Sequence, residues 1–294
     1  MIIVTGAGGF IGSVMVGYLN SIGITDIVAV DDMPHPEQYK NLVGKKFRLI
    51  STNEMESMLA FQPGSIQGVI HLGANSNTLA NDWASVYKTN VLSTRQWANL
   101  AARDYIPFVF ASSAAVYGNG NGPLNQYAFS KAVSEQELTS NAAVLRFFNV
   151  YGPNEYHKGR MASTIYNWHS QILETGSIKI FKDSDQYYRD FIYVEDVCRA
   201  CWHFIENFQP GVYDLGTGRS ENFERVAREL VKHYDEEVYF NYIDMPTDLS
   251  KQYQTDTKAD TKALTNAGFD TTICRTVSEG IEDYVPFLKE GRFL

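Results

Sequence analysis

Met1-Ile2-Ile3-Val4-Thr5-Gly6-Ala7-Gly8-Gly9-Phe10-Ile11-Gly12 decides how the rest of the chain is read. Met1 to Thr5 is a short apolar β run. Glycines follow at positions 6, 9 and 12, and a helical pattern runs on through Tyr18 and Leu19. Strand, glycine turn and helix together make a cradle for a dinucleotide. The bare turn lets backbone approach a pyrophosphate, and the helix N-terminus offers N–H groups and the positive end of its dipole. The spacing is GxxGxxG rather than the commoner GxGxxG. Its place, directly after an N-terminal strand, separates it from a glycine-rich turn that binds nothing. Gly6, Gly9, Phe10, Ile11 and Gly12 are the candidate cofactor contacts of this turn.

Working outward, Ile27 to Val30 is the second strand and Asp31-Asp32 ends it. Asp31 stands where a carboxylate grips the adenosine ribose hydroxyls and repels a 2′-phosphate. Neither Arg nor Lys occurs from Met33 to Tyr39, which favours NAD over NADP, although Lys40, Lys45 and Lys46 are near. The plainer reading is that the two aspartates open a solvated loop. Further strands are expected at Phe47 to Ile50, Val69 to Ala74, Phe108 to Ser113 and Ala143 to Phe148. Between them lie helices at Asn53 to Phe61, at Asp82 to Arg103 (carrying Asn90), and around Tyr127. His71, inside an apolar strand, reads as a core histidine. This alternation predicts an α/β fold, a Rossmann-type doubly wound parallel sheet.

After Asn149-Val150-Tyr151-Gly152-Pro153 the pattern loses its regularity. Helices are expected over 160–174, 195–207, 222–234, 258–267 and 277–289, with short strands at 178–181, 190–194 and 211–215. The division this predicts is a dinucleotide-binding domain over 1–148, with 190–217 returning to it. A smaller, interleaved C-terminal substrate lobe is assigned to 149–189 and 218–294.

Chemistry enters at Tyr127-Ala128-Phe129-Ser130-Lys131, with Ser113 fourteen residues earlier. A phenol and an ammonium four residues apart share one side of a helix. The phenol, with an ordinary pKa of about 10, is a poor base at neutral pH. A neighbouring ammonium favours the phenolate. Ser113, at a strand's carboxyl end, lies where the crevice of a parallel sheet opens and shares the substrate oxygen's hydrogen bond. Such a trio removes a proton from a sugar hydroxyl while hydride leaves the carbon. The plainer reading of YxxxK alone is an exposed lysine and a half-buried tyrosine.

The bulk composition fits this. Hydrophobic residues make up 44% and charged residues 20% of the 294, as in a globular soluble protein. A net charge of −9 argues against a nucleic-acid partner. No stretch is long and apolar enough for a membrane span, and no signal peptide precedes the first strand. The expected compartment is the reducing cytoplasm. Cys198, Cys201 and Cys274 read as core thiols, and no metal site is expected.

Several stretches then coincide: TGAGGFIG from Thr5, SSAAVYG at Ser112 to Gly118, YAFSK at Tyr127, RFFNVYGP at Arg146 and RDFIYVEDV at Arg189. Together they resemble the extended short-chain dehydrogenase/reductase superfamily of nucleotide-sugar epimerases and dehydratases, nearly end to end. His157-Lys158-Gly159-Arg160-Met161-Ala162-Ser163 is similar to a segment of one branch, the ADP-L-glycero-D-manno-heptose 6-epimerase family, as are GITDI at Gly23, IPF at Ile106 and YQTDTKAD at Tyr253. That family inverts C6 of an ADP-heptose for lipopolysaccharide core assembly. The resemblance implies that Gly6, Gly9, Gly12 and Asp31 hold the dinucleotide and that Asn90 lines its pocket. It implies that Lys131 contacts the nicotinamide ribose and tunes Tyr127, that Ser113 and Tyr127 face the reacting hydroxyl, and that Lys158 is a second acid/base. It places Asn149, His157, Arg189 and Tyr253 in the substrate site, with Arg189 beside the diphosphate. Ser163 ends the same motif. The partner implied is a nucleotide-diphosphate sugar, and members are usually homo-oligomers.

Two departures stand out. The link from Ser113 to Tyr127 is short for the family, and Arg160 replaces a small residue. Arg160 meets either the substrate phosphate or only water. A 4,6-dehydratase or a decarboxylase needs an acid after the serine, where Ala114-Ala115 stand. The alternatives kept are a UDP-sugar 4-epimerase, a net reductase, and a non-catalytic NAD-sensing protein.

Overall fold

The structure, a computed structural model, describes residues 1–54, 64–138, 141–246 and 255–294. In chain order its strands are β1 Ile2–Thr5, β2 Ile27–Val30, β3 Arg48–Ile50, β4 Gly68–His71, β5 Phe108–Ser113, β6 Ala143–Phe147, β7 Asn149–Tyr151, β8 Ser177–Phe181, β9 Tyr188–Tyr193, β10 Gly211–Leu215, β11 Ser220–Asn222, β12 Tyr239–Ile243 and β13 Asp256–Thr257. The principal helices are α1 Phe10–Ser21, then α2, which runs through Trp83–Val86, a π-turn at Tyr87–Leu92 and Ser93–Asp104. They continue with α3 Gln126–Leu138, α4 Thr164–Thr175, α5 Val194–Glu206, α6 Phe223–Val231, α7 Lys262–Asn266 and α8 Val277–Glu290.

Every residue of β1, β2 and β4 is buried, because helices cover both faces of a parallel sheet. These strands therefore read as unbroken apolar runs. The large sheet has seven strands in the order β10-β6-β5-β4-β1-β2-β3, all parallel. The chain steps from β1 through β2 to β3 on one side, then crosses to β4 on the other. The crevice between the carboxyl ends of β1 and β4 is the switch point where such sheets take ligands. One face is filled by α1 and α5, with Val14, Met15, Leu19, Val197, Cys198, Cys201 and Phe204 buried there. The other is filled by α2 and α3, around Trp97, Phe108, Phe110 and Leu138.

A second core lies outside the large sheet and is built from Tyr151, Trp168, Phe191, Leu230, Ile281 and Tyr284. It rests on a small sheet, β11-β9-β13 with β7 also paired to β9, and on the parallel pair β8 and β12. The chain interleaves the two bodies. Of the segment 190–217, α5 packs on the large sheet and β10 joins it, but β9 belongs to the small sheet.

Some boundaries differ from expectation for local reasons. Residues 156–161 form a 3-10 turn with Gly159 at φ 53°, and α4 starts only at Thr164, because Ser163 caps it by accepting the Tyr166 N–H. The expected helix at Asn53 to Phe61 lies mostly outside the described residues; Thr52–Glu54 is a 3-10 turn. The strands β7, β11, β12 and β13 had no counterpart in the sequence reading. β7, β11 and β13 have only two or three residues each, too few to mark a strand, whereas β12 carries the aromatic run Tyr239-Phe240-Asn241-Tyr242-Ile243 that the sequence did offer.

Candidate active site

The glycine turn is closed by backbone, not by side chains. A Cβ on Gly12 would stand 2.0 Å from the Gly6 carbonyl oxygen, and one on Gly6 would stand 2.7 Å from Gly73 Cα. Gly6 also has φ +65°. Gly9 caps α1 with no side-chain hydrogen bond, so no side chain covers the helix N-terminus. Asp31 closes the far side of the turn, its Oδ2 accepting from the Gly8 N–H at 2.9 Å and Oδ1 from the Met33 N–H at 2.7 Å. Burial pushes its carboxyl up, and these backbone bonds pull it back down. Asp32 turns away and accepts from the N–H and hydroxyl of Thr52. A closely approachable anion cradle with a ribose-height carboxylate fits a dinucleotide.

At the carboxyl end of β5, the Ser113 hydroxyl accepts from the Ala115 N–H at 3.1 Å and stands beside the Tyr127 phenol, whose pKa it lowers. Tyr127 is half-buried. Lys131, one turn along α3, is 2% exposed and donates to the Ala111 carbonyl at 2.7 Å. Its ammonium also lies 4.7 Å from the centre of the Phe110 ring. Burial brings the Lys131 pKa down to about 7, against a raising effect of Glu135. Burial raises the Tyr127 pKa and Ser113 lowers it. The Lys131 ammonium is itself poorly favoured in the interior.

Asn90 is wholly buried in the π-turn of α2. Its Oδ1 accepts from the Asn75 N–H at 2.7 Å, and its Nδ2 donates to the Asn75 carbonyl and to Ser130 Oγ. Its amide thus ties α2 to the strand-end loop after β4 and to the residue before Lys131, a bracing task that its sequence position did not suggest. His71 is the core residue expected: Thr5 and Thr94 bond its two nitrogens, and burial lowers its pKa to about 3.

The segment from Gly152 to Ser163 brings a second group of side chains. Lys158 is half-buried as a residue, with its Nζ enclosed 5.4 Å from the centre of the Phe10 ring. Burial lowers its pKa and Glu155 raises it. His157 lies against Asn41 Nδ2 at 3.3 Å, and Asn41 also donates to the Gly8 carbonyl at 2.9 Å. Burial, then Lys158 and His35, take the His157 pKa down to about 4. Glu155, not anticipated from sequence, is fully buried and accepts from the N–H and hydroxyl of Ser163 and from the Tyr284 hydroxyl. The Ser163 hydroxyl is therefore occupied by Glu155 and by capping. Arg160 is exposed. Arg189 is buried in β9, donates to the Tyr188 carbonyl and stacks 5.5 Å from the Phe223 ring centre. Asn149 is exposed in β7, and Tyr253 lies outside the described residues.

Beside the short Gly118–Gly122 loop lies a cavity of about 560 Å³, lined by Ala114, Tyr117, Phe148, Asp214, Thr257 and Lys258 among others. Among the described residues two buried side-chain oxygens lack a hydrogen-bond partner, Gln126 Oε1 and Thr257 Oγ1. The first is adjacent in sequence to Tyr127, and the second belongs to the cavity wall. Among the described residues no helix is long and apolar enough to cross a membrane, and no cluster of His, Cys, Asp or Glu suits a metal. Cys198, Cys201 and Cys274 are free and buried.

Residues 2–216 match the model of the NAD dependent epimerase/dehydratase family. Over 319 aligned residues, covering all of both chains, the sequence is 38% identical to ADP-L-glycero-D-manno-heptose-6-epimerase of Brachyspira hyodysenteriae. The crystal structure of the Helicobacter pylori enzyme of that name superposes with a TM-score of 0.81 at 25% identity, over 98% of this chain and 96% of that one. A UDP-N-acetylglucosamine 4-epimerase from Methanobrevibacter ruminantium shares the fold, with a TM-score of 0.85 at 24% identity over 99% and 98% of the two chains.

Proposed function

The chain belongs to the NAD dependent epimerase/dehydratase family, and from that premise we propose that it inverts C6 of an ADP-glycero-manno-heptose by transient oxidation to a ketone and re-reduction from the other face. Full-length likeness to a heptose epimerase supports the substrate. The single observation that carries the chemistry is the buried Lys131 one turn along α3 from Tyr127, with Ser113 beside the phenol, joined by a second enclosed amine, Lys158, on a separate element. We assign 1–148, with α5 and β10, to the cofactor and the remainder mainly to the sugar nucleotide.

Gly6, Gly9, Phe10, Ile11 and Gly12 would hold the dinucleotide phosphates, and Asp31 the adenosine ribose. A carboxylate there disfavours a 2′-phosphate, which supports NAD over NADP. The bound dinucleotide supplies a hydride acceptor that also serves as donor on return, so no second redox substrate is required. Tyr127 takes the proton of the C6 hydroxyl, and Ser113 holds the oxygen as it becomes a carbonyl. Lys131, one turn along α3, would contact the nicotinamide ribose and favour the Tyr127 phenolate that accepts this proton. The side chain bearing C6 rotates between the two half-reactions, which brings its oxygen to a different donor. Lys158 is that donor, its ammonium made more acidic by burial. Arg189 and Arg160 are the cations for the diphosphate. Gln126 and Thr257 offer unpaired oxygens to sugar hydroxyls.

The test is NMR of ADP-D-glycero-D-manno-heptose with the purified protein and no added cofactor. Appearance of the L-glycero epimer to equilibrium establishes the reaction and means that NAD co-purified. No change even with NAD supplied removes the heptose assignment, and UDP- and GDP-sugars become the substrates to try.

A further inference from the structure

Lys158 sits on a segment that sequence assigns to the substrate half, yet its fastenings run to the cofactor half. Asn154 is fully buried with φ +74°, a conformation that asparagine tolerates better than most residues. Its Nδ2 donates to Ser13 Oγ on α1 at 3.0 Å and to the Leu294 carbonyl at 3.2 Å. Its Oδ1 accepts from the Leu294 N–H at 2.9 Å. The Leu294 carbonyl also receives Lys45 Nζ, and Lys45 donates to the Asn41 carbonyl at 2.6 Å. Asn41 in turn reaches the Gly8 carbonyl and His157. Tyr156 donates to the Arg292 carbonyl at 2.6 Å and meets the Phe293 ring edge-on at 5.1 Å. The circuit closes on itself: glycine turn, Asn41, Lys45, Leu294, Asn154 and α1. Phe10, under the Lys158 ammonium, belongs to the same turn and helix.

We propose that Asn154 is a positioning residue which, with the strap Arg292–Leu294, anchors the Lys158 turn to α1, so that the second proton donor is set by the dinucleotide half before substrate arrives. Two physical points favour this. Buried amides are fixed by their partners, and Asn154 has three among groups from two distant parts of the chain. A reacting group displaced by about 1 Å costs on the order of 10²-fold in rate, so an anchor of this kind is felt in turnover rather than in folding. The inference rests on the role given to Lys158 above.

Asn154→Gly keeps the backbone conformation and removes all three bonds. Phe293→Ala loosens the strap at its other point. The expected result is a fall in kcat of about 10- to 100-fold for Asn154→Gly, with KM and the amount of retained NAD near wild type. Hydrogen exchange on the NAD-loaded protein should show faster exchange in 155–162, with α3 unchanged. Phe293→Ala should act in the same direction, and the double variant should fall short of the product of the two effects. Unchanged exchange in 155–162, or a kcat loss that tracks loss of NAD, overturns the proposal. Lys158→Met is measured alongside. If it turns over normally, the role of Lys158 falls, while the exchange result still decides whether Asn154 is the anchor.

Discussion

Tyr127 and Lys131 differ in what burial does to them, and the difference is measurable. Removing the phenol hydroxyl with Tyr127→Phe takes away the proton acceptor while leaving the glycine turn intact. Turnover should drop by about 10²- to 10⁴-fold, with NAD still bound as judged by its absorbance after denaturation. A variant that turns over normally refutes the assignment, and one that loses NAD points to a structural effect. Lys131 yields a pH signature. In the unfolded chain it keeps its proton to about pH 10, whereas in the fold it releases it near 7. Between those values the unfolded state binds more protons, so this residue makes stability rise with pH. Below pH 7 the folded protein bears the full cost of a buried ammonium. Lys131→Met removes the titration. Its stability relative to wild type should therefore be most favourable at pH 6 and decline by about 2–3 kcal/mol by pH 9, read from urea midpoints. A difference that does not vary with pH contradicts the burial argument.

Residue identities at the site were legible where spacing carried them. Tyr127 and Lys131 meet by helix geometry, and Ser113 ends a strand whose apolar run is unmistakable. Asn154, Asn41 and Glu155 were not legible, because their partners lie more than a hundred residues away or in another loop. The only local cue was the Gly152-Pro153-Asn154 turn sequence, which announces a left-handed asparagine but not what its amide holds.

Elements divide by how much of their fate is local. The large sheet was readable because its inner strands are buried on both faces. Three of the four strands missed, β7, β11 and β13, are pieces of two or three residues that their neighbours make into strands: β13 exists by pairing with β9. The π-turn in α2 likewise comes from outside, since it sets Asn90 inward against Asn75 and Ser130. The β1–α1 turn is the opposite case, a structure dictated by its own glycines. Gly12→Ala would press a methyl group into the Gly6 carbonyl at a separation no real pair adopts. Backbone on both sides leaves no flexible side chain to yield. Purified Gly12→Ala should carry little or no NAD and show a lower melting temperature than wild type, with added NAD restoring little of either. Normal NAD content would mean that the turn does not bind the phosphates.

At the scale of the whole molecule the question is whether the two bodies are separable. Their sequence segments are not contiguous. The large sheet lacks its edge strand until Gly211–Leu215 arrives, and the core under it takes Val197, Cys198, Phe204, Leu264 and Phe269 from beyond residue 190. A fragment of 1–148 would therefore expose the face of the sheet that α5 covers, together with the edge of β6. Such a face is apolar and such an edge pairs readily with other chains. Residues 1–148 alone should be insoluble or lack cooperative unfolding, while the full chain should unfold in one transition. NAD contacts only the cofactor half in our assignment, yet it should raise that single transition as a unit, by about 2.7 kcal/mol at a hundredfold excess over its Kd. Calorimetry with and without NAD distinguishes the cases. Two transitions, only one of them moved by NAD, would mean that the bodies fold independently. In that case the circuit through Asn154 and Leu294 could not hold Lys158 in register with the glycine turn.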